Sequence, residues 1–325
     1  MQITQYNESN YSFIKVVNEV DFSIILCDLG ASIYSIVFED KEMTYVPESL
    51  DVWFKNNVYH GKTIGRIPNR VKGNKVIVDD KEYILERNEG ENTLHGGLHG
   101  LNSKVFDYEI EEEDGYINVV FRYTMKDLED GLPGDTPIQV VYTIYEDKSE
   151  IKLEFFAKAN KKTIFGLINH AYFNLGEEDL STLSMRIRAS NYLEVNPNDL
   201  LQIGKKPCKN CLNFKEFKPI NQDINDEYLI NSRTNGYDHQ FYFDVIDPSL
   251  DQFSLRSSNI QMDVYTDFSC VQIYSDNYED SKGRGTDKLR RRAVAVEPQE
   301  SHECLHYLNV GELYHHFVIY KFRKI

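Results

Sequence analysis

The amino-acid sequence predicts an all-β fold in which large sheets pack face to face. Short segments rich in Val, Ile, Tyr, Phe and Thr alternate apolar and polar residues, which is the pattern of half-buried strands. Hardly any segment keeps an apolar stripe at helical spacing over three turns. Clusters of Gly, Asn and Asp separate the alternating segments, as turns between strands require.

The strand and turn signals define individual elements. A hairpin is predicted where Lys75–Val78 and Glu82–Leu85 flank the turn residues Asp79 and Asp80. The segment DGLPGD at 130–135 is predicted to form the turn before the next strand. The longest predicted strands are Ile117–Thr124, Ile138–Tyr145, Ile151–Ala157 and Val264–Tyr274.

We predict a single domain spanning residues 1–325. No Ser/Gly-rich or Pro-rich linker, low-complexity tract or internal repeat marks a boundary. Strand signals recur from Phe13 to the segment FVIYKF at 317–322, so one large sheet-on-sheet body is more economical than two units. The length is compatible with this prediction, because all-β domains routinely exceed about 200 residues.

Charge and hydropathy exclude several classes of partner. The chain has 36 basic and 52 acidic residues, a formal net charge of −16, so nucleic acid is a poor partner. No stretch approaches the roughly 20 consecutive apolar residues that a membrane-spanning helix needs. The composition, 41% hydrophobic and 27% charged, is that of an ordinary globular protein with a real core.

The cysteines and the N-terminus indicate a cytoplasmic protein. Five cysteines are an odd number spread over a long chain, which fits reduced thiols better than a disulfide framework. Residues 1–11 have neither the basic start nor the apolar run of a secretory signal. The sequence carries no signal for the oligomeric state.

Two histidine motifs occur at positions where the packing of strands does not explain a histidine. In TLHGG at 93–97, two glycines follow His95 and permit positive φ and close approach of a ligand, so we expect this histidine to be accessible. In INHAYFNLG at 168–176, alternation places Ile168, His170 and Tyr172 on one face. Each histidine alone also fits a structural role, as a turn residue or a hydrogen-bonded core residue.

Two acidic motifs lie beside predicted strands. In GYDHQFYF at 236–243, Asp238 precedes an aromatic strand. In AVAVEPQ at 293–299, alternation places Glu297 on the face of small apolar residues, and Pro298 is expected to end the strand directly afterwards. A carboxyl group at such a strand end is partly desolvated, which raises its pKa toward the range useful for acid/base catalysis.

The segment GRIPNR at 65–70 adds two arginines four residues apart. Two guanidinium groups this close form structural ion pairs in many proteins, yet one of them is also suited to donate hydrogen bonds to substrate hydroxyls. Each of these five signals is weak by itself. Together they predict one site.

The order of these motifs resembles that of the aldose 1-epimerase, or galactose mutarotase, family. The resemblance rests on GRxxNR, LHGG, Gly-x-Pro-Gly, NHxYFNL, DH and E-P-Q, in that order. It implies a large antiparallel β-sandwich of the galactose mutarotase type, no metal, no organic cofactor, and interconversion of the α and β anomers of a free aldose. The elements of this sequence that carry it are Gly65–Arg70, Leu94–Gly97, Gly131–Gly134, Asn169–Leu175, Asp238-His239 and Glu297–Gln299.

The resemblance also implies roles for individual residues. Glu297 is the expected general base and His170 the general acid, with His95 helping to polarise the ring oxygen. Arg70 and Asp238 are expected to hold sugar hydroxyls, and Gln272 is a further expected contact. Mutarotation needs these types because one group removes the proton of the C1 hydroxyl while another protonates the ring oxygen.

Three alternatives stay open at this stage. A basic cluster between residues 282 and 292 is typical of a solvated loop but would also suit the phosphate of a hexose phosphate. The cluster contains Lys282, Arg284, Lys288, Arg290, Arg291 and Arg292.

A non-catalytic carbohydrate-binding protein on the same sandwich is the second alternative. A zinc site is the third, from the CxxC pair Cys208 and Cys211 with His302 and His306, but about 90 residues separate the two pairs instead of the roughly 12 to 15 of a zinc finger. The chain also departs from the family where Glu300 to Glu303 (ESHE) replace Asn-x-Pro-Asp after E-P-Q, which predicts a different rim of the site.

Overall fold

A computed structural model describes residues 1–47, 49–55, 58–231, 233–278 and 290–325. In these residues the chain forms 28 strands and three helices of a single turn each, with short 3₁₀ turns between them. Every strand pairing is antiparallel. The all-β prediction is therefore confirmed. None of the helices described is long and apolar enough to cross a membrane.

The elements follow one another along the chain with short connections. The helices are α1 (Leu50–Trp53), α2 (Ile220–Asp223) and α3 (Glu227–Ile230). The first half of the strands is β1 (Gln2–Glu8), β2 (Tyr11–Val17), β3 (Ser23–Cys27), β4 (Ser32–Phe38), β5 (Lys41–Glu42), β6 (Thr63–Ile64), β7 (Arg70–Val71), β8 (Lys75–Val78), β9 (Lys81–Ile84), β10 (Thr93–Leu94), β11 (Asp107–Glu113), β12 (Tyr116–Met125), β13 (Thr136–Tyr145) and β14 (Glu150–Ala157). The second half is β15 (Thr163–Ile164), β16 (Ile168–Asn169), β17 (Tyr172–Phe173), β18 (Ser184–Ile187), β19 (Ala189–Val195), β20 (Gln202–Pro207), β21 (Lys218–Pro219), β22 (Asp238–Phe243), β23 (Phe253–Arg256), β24 (Ile260–Thr266), β25 (Cys270–Tyr274), β26 (Val294–Gln299), β27 (Tyr307–Leu308) and β28 (Tyr314–Lys324).

Three sheets build the body of the molecule. The largest has nine strands in the order β11-β12-β13-β14-β28-β24-β23-β18-β21. A six-stranded sheet has the order β17-β26-β25-β22-β19-β20, and the first five strands form a meander, β1 to β5. Because β28 lies between β14 and β24, the C-terminal strand closes the centre of the nine-stranded sheet.

One main hydrophobic core is shared by all three sheets. It includes Ile24 from the meander, Phe155 and Tyr320 from the nine-stranded sheet, and Val271 and Val296 from the six-stranded sheet. All of these side chains are fully buried or nearly so. The core thus runs from one end of the chain to the other, which supports the single domain over residues 1–325 that we proposed from the sequence.

Most of the predicted strands lie within observed ones. The predicted strands from Ile117, Ile138 and Ile151 correspond to β12, β13 and β14. The predicted strand Val264–Tyr274 is wrong as one element, because β24 ends at Thr266 and β25 begins at Cys270. The two halves belong to different sheets, so the intervening residues carry the chain from one layer of the sandwich to the other.

The predicted hairpin is confirmed. Strands β8 and β9 pair through Val78 and Lys81, and the turn residues Asp79 and Asp80 have φ of 49° and 60°. Two consecutive positive φ values are the signature of the tight hairpin turn that matches strand twist.

The turn at 130–135 is held from inside by Arg66. The Arg66 guanidinium is fully buried and forms a salt bridge with Asp130. It also donates to the carbonyl oxygens of Leu132 and Gly134, at 2.8 and 3.0 Å. A buried arginine is tolerated because its donors are satisfied in this way. Of the two arginines in GRIPNR, the first is therefore structural.

Candidate active site

The candidate site lies on one face of the six-stranded sheet. Register places Gln272 opposite Glu297, and Gln240 opposite Gln272, so these side chains project from the same face. Asp238 and Gln299 extend the row by two-residue steps along β22 and β26. The face away from the core is therefore lined by carboxylates and amides.

Glu297 lies near the end of β26 and is almost completely buried, with 2% of its surface exposed. Its Oε1 lies 3.4 Å from the Nε2 of His170. The prediction that Pro298 ends the strand is wrong, since β26 continues to Gln299. The Val296 N–H donates to the Ala171 carbonyl oxygen, on the edge of β26 that faces away from β25. The backbone nitrogen of Pro298, two residues later, points to the same edge, at a position that β17 does not reach. No ladder bond is lost there, which is why proline is tolerated.

His170 sits in the short gap between β16 and β17, so the predicted continuous strand is interrupted at this residue. Its backbone is fixed from both sides: Gly61 donates to the His170 carbonyl at 2.9 Å, and His170 donates to the Lys62 carbonyl at 3.0 Å. The His170 and Tyr172 rings stack with centroids 5.1 Å apart, as expected for residues on one face. The imidazole is thus held against Glu297 by the backbone of residues 61–62.

Burial shifts the acid/base properties of this pair toward the neutral forms. Desolvation raises the pKa of Glu297 well above its ordinary value, and the nearby Asp238 charge raises it further. Desolvation also lowers the pKa of His170 to about 4. Within the described residues, neither Glu297 Oε2 nor His170 Nδ1 has a hydrogen-bond partner. Two buried polar atoms left unpaired at one place are the mark of a site built for a ligand.

His95 stands edge-on to His170, with ring centroids 5.3 Å apart and planes at 85°. Its φ of 54° and the φ of 80° at Gly96 confirm the positive φ predicted for this motif. A Cβ at Gly96 would lie 2.5 Å from the Gly65 carbonyl oxygen, so glycine lets the turn pack against the segment before Arg66. The expectation of an accessible His95 is wrong: only 7% of the residue is exposed, and burial lowers its pKa well below the ordinary value.

Arg70, Asp238 and Gln272 lie together, as the sequence predicted for one site. Gln272 Nε2 donates to Asp238 Oδ1 at 2.7 Å, and Arg70 Nη1 lies 4.0 Å from Asp238 Oδ2. Glu89 accepts two hydrogen bonds from Arg70, at 2.7 and 2.9 Å, and so fixes the plane of the guanidinium. Desolvation raises the pKa of Asp238, and Arg70 opposes this shift. Gln272 Oε1 has no partner among the described residues.

Aromatic rings surround the His170 imidazole, and the sequence patterns did not single out two of them. Tyr59 stacks with His170 at 5.8 Å, and His60 stacks on Tyr172 at 4.0 Å. A signal was available, because an aromatic residue and a histidine directly precede Gly61, as His95 precedes Gly96. Gly61 has φ 74°, and a Cβ there would lie 1.7 Å from the Ile33 carbonyl oxygen, so only glycine fits.

The other sequence candidates lie elsewhere or are engaged. His239 points to the core side of β22, where its ring lies 5.8 Å from that of Tyr192. Arg291 donates to Asn225 at 2.7 Å, and the Arg292 guanidinium lies over the Tyr45 ring at 5.9 Å. Other members of the basic cluster lie outside the described residues: Lys282, Arg284 and Lys288.

Comparison with known proteins gives consistent matches. The model of the aldose 1-epimerase family matches residues 12–321. Human galactose mutarotase is 30% identical over 264 residues, which are 79% of this chain and 72% of that protein. An aldose 1-epimerase from Haemophilus influenzae is 27% identical over 285 residues, 82% of this chain and 79% of that protein.

Solved structures share the fold. A galactose 1-epimerase from Lactobacillus acidophilus superimposes with a TM-score of 0.88 over 99% of this chain and 98% of that chain, at 22% identity. A Caenorhabditis elegans homologue of aldose epimerases gives 0.83 over 97% of this chain and 99% of that one, at 23% identity. The predicted sandwich of the galactose mutarotase type is therefore confirmed.

Fold and sequence matches together define a class, the isomerases that act on carbohydrates. Within that class, this chain belongs to the aldose 1-epimerase family, whose model spans nearly its whole length. The substrate class is a sugar.

Proposed function

We propose that this chain interconverts the α and β anomers of a free aldohexose such as galactose or glucose, with Glu297 as the general base and His170 as the general acid. The observation that carries the proposal is the 3.4 Å approach of Glu297 Oε1 to His170 Nε2 in a buried site where each residue keeps a second polar atom unpaired. Two residues 127 positions apart along the sequence meet there, and a sugar is the ligand class of the family.

The burial of the pair accounts for its reactivity in either direction. A carboxylate whose pKa is raised holds a proton more strongly, so ionised Glu297 is a strong base for the C1 hydroxyl. An imidazolium whose pKa is lowered releases its proton more readily, so protonated His170 is a strong acid for the ring oxygen. Transfer of both protons opens the ring and leaves Glu297 and His170 neutral, which is the state that burial favours.

Closure of the ring reverses these transfers. After rotation about the C1–C2 bond, the aldehyde presents its other face to the hydroxyl that attacks it. His170 then takes back the proton of that hydroxyl, and Glu297 returns a proton to the carbonyl oxygen. The pair ends with the protons it held at the start, so no co-reactant is consumed.

Orientation of the sugar is assigned to the neighbouring polar residues. Arg70 and Asp238 offer a donor and an acceptor to hydroxyls away from C1, and Glu89 holds Arg70 in place. The unpaired Gln272 Oε1 is free to accept a further hydroxyl. His95 is assigned to the ring oxygen, since its ring lies edge-on to His170. Such neutral and paired hydrogen-bonding groups suit a ligand that is uncharged and covered in hydroxyls.

The experiment is polarimetry of freshly dissolved α-galactose and α-glucose at several enzyme concentrations. We expect the approach to the equilibrium rotation to accelerate in proportion to the amount of enzyme. The proposal would be overturned if the wild-type protein accelerated the mutarotation of no sugar in a panel of aldohexoses and aldopentoses.

We also propose a cytoplasmic location. It is supported by the thiols, because all five cysteines are free and no pair is joined as a disulfide. Tagged full-length protein found only in the secreted fraction would contradict this assignment.

A further inference from the structure

The loop that follows Glu297 is tied to the site face of the six-stranded sheet. The side chain of Gln240 accepts from the His302 N–H at 3.0 Å and donates to Ser301 Oγ at 3.3 Å. Glu303 accepts from the Tyr242 hydroxyl at 2.9 Å. Residues 300–303 are those that depart from the family pattern, and these bonds give that segment one defined position beside the site.

Hydrogen bonds decide which way the amide of Gln299 points. Asn69 Nδ2 donates to Gln299 Oε1 at 2.7 Å, so that oxygen is the acceptor. The Gln299 Nε2 group therefore carries the two donors, which point to Gln240 Oε1 and to His302 Nδ1, both at 3.3 Å. Because Nδ1 of His302 accepts this bond, the neutral ring carries its proton on Nε2.

Asn69 also fixes the tautomer of His95. The Asn69 backbone N–H donates to His95 Nδ1 at 3.2 Å, so His95 also carries its proton on Nε2 when neutral. Asn69 and Gln299 thus hold two imidazoles, one on each side, in the same tautomer. Each ring is left with an Nε2–H donor.

The surroundings of the partly buried His302 keep its ring uncharged at neutral pH. Desolvation, together with the positive charge of Arg70 and the proximity of His306, lowers its pKa to about 3. His306 itself lies with Nε2 at 2.5 Å from the Ser301 carbonyl oxygen, within the same loop. The donor at His302 Nε2 is thus available at neutral pH.

The His302 ring borders open space next to the proposed sugar contacts. It lines a small cavity together with Arg70, Asp238 and Gln272. It also lines a second cavity of about 240 Å³ that shares Arg70 with the first. Within the described part of the chain, no hydrogen bond involves its Nε2.

We propose that His302 is a specificity-determining residue of the sugar site, whose Nε2–H donates to a hydroxyl of the aldose on the Arg70 side, away from the Glu297–His170 pair. The inference rests on the proposed function. A neutral donor in a fixed tautomer suits an uncharged sugar hydroxyl, whereas a protonated ring would favour a phosphate or carboxylate. His302 touches no reacting atom in this arrangement, so its effect falls on binding and on the choice between sugars.

The test compares wild type with His302→Phe, which keeps a ring and removes the donor, and His302→Gln, which keeps an amide donor. Initial rates of mutarotation are measured on galactose and on its 2-, 3-, 4- and 6-deoxy analogues. We expect His302→Phe to raise KM for galactose about tenfold with kcat nearly unchanged, because a tenfold change in affinity corresponds to about one hydrogen bond. His302→Gln should restore part of the lost affinity. For the analogue that lacks the contacted hydroxyl, wild type and His302→Phe should have equal KM.

The control is His99→Phe, since His99 is exposed and pairs with Glu86. It should leave KM unchanged on every sugar. An unchanged KM for His302→Phe on galactose, with an unchanged melting temperature, overturns this inference alone. The inference is also overturned if the KM ratio of variant to wild type is the same for all four analogues. A wild type inactive on every aldose overturns the proposed function and this inference with it.

Discussion

The two faces of the six-stranded sheet contrast sharply, although they are built from the same strands. On β25 and β26, the inward side chains Ile273 and Val296 are fully buried in the apolar core. The outward neighbours Gln272 and Glu297 are 7% and 2% exposed, so they are almost as buried, yet each keeps a polar atom without a partner. The two faces are therefore buried to a similar extent, and they differ in whether their buried polar atoms have hydrogen-bond partners.

The two faces therefore contribute to the stability of the fold with opposite signs. The core face follows the rule that buried groups are apolar and closely packed. The site face violates the rule that buried polar groups are paired, at a cost of about 1–3 kcal/mol for each unsatisfied group. A sheet with one well-packed face has enough stability to carry an unfavourable second face, and a ligand that pairs those atoms recovers the cost on binding.

The largest effect should follow from Glu297→Gln, which removes the proposed base and keeps the shape of the side chain. We expect kcat for galactose to fall by about 10² to 10⁴-fold, the contribution of a positioned general acid or base. Polarimetry measures the rate, and titration calorimetry measures sugar binding, which should be largely retained. A variant with wild-type kcat would show that Glu297 is not the base.

A substitution on the opposite face should produce the converse result. Ile273→Ala leaves a cavity in the main core and should lower the free energy of unfolding by about 2–5 kcal/mol. Its kcat and KM on galactose at 25 °C should stay close to wild type, because Ile273 projects away from the site. Chemical denaturation gives the stability; a loss of kcat as large as that of Glu297→Gln would refute the separation of the two faces.

The pH dependence of stability should distinguish the faces as well. The pKa of Glu297 is raised in the folded protein, so the folded state binds its proton more tightly than the unfolded state does. Stability from this group is full below the unfolded pKa near 4.5 and is lost as pH rises toward the folded value. We expect Glu297→Gln to gain stability relative to wild type progressively as the pH rises above about 4.5.

Denaturant unfolding at each pH measures this difference. Ile273→Ala is the matched control, because it changes no titrating group and should differ from wild type by a constant amount. A difference between Glu297→Gln and wild type that does not vary with pH would contradict the raised pKa.

Local sequence patterns predicted strands that pack on the core better than they predicted the geometry of the candidate site. Two-residue alternation identified β12, β13 and β14, because apolar side chains must recur at that period wherever a sheet packs on a core. It missed the break between Thr266 and Cys270, since the apolar pattern continues while the chain passes from one sheet to the other. Nothing local records which sheet a strand joins.

The residues of the candidate site were predicted as a set, but their geometry was not. The motifs named Glu297, His170, His95 and Arg70, which the fold brings together from four separate stretches. They did not reveal Glu89, whose two hydrogen bonds to Arg70 depend on a loop closing over β7. Pairings of this kind arise from tertiary packing. A residue such as Glu89, which lies outside any alternating segment or glycine-containing motif used for the prediction, gives no local signal.

The smallest effect should come from Gln272→Ala on the site face. Gln272 donates to Asp238, and in the proposed function its unpaired oxygen accepts from the sugar. Its loss should therefore raise KM for galactose about tenfold with little change in kcat. Stability should stay nearly constant, because one hydrogen bond and one unpaired buried oxygen disappear together. Steady-state polarimetry and thermal unfolding measure the two quantities. A stability loss like that of Ile273→Ala, with KM unchanged, would place Gln272 with the structural residues. The comparison is direct because the two side chains are adjacent in β25 and project from opposite faces.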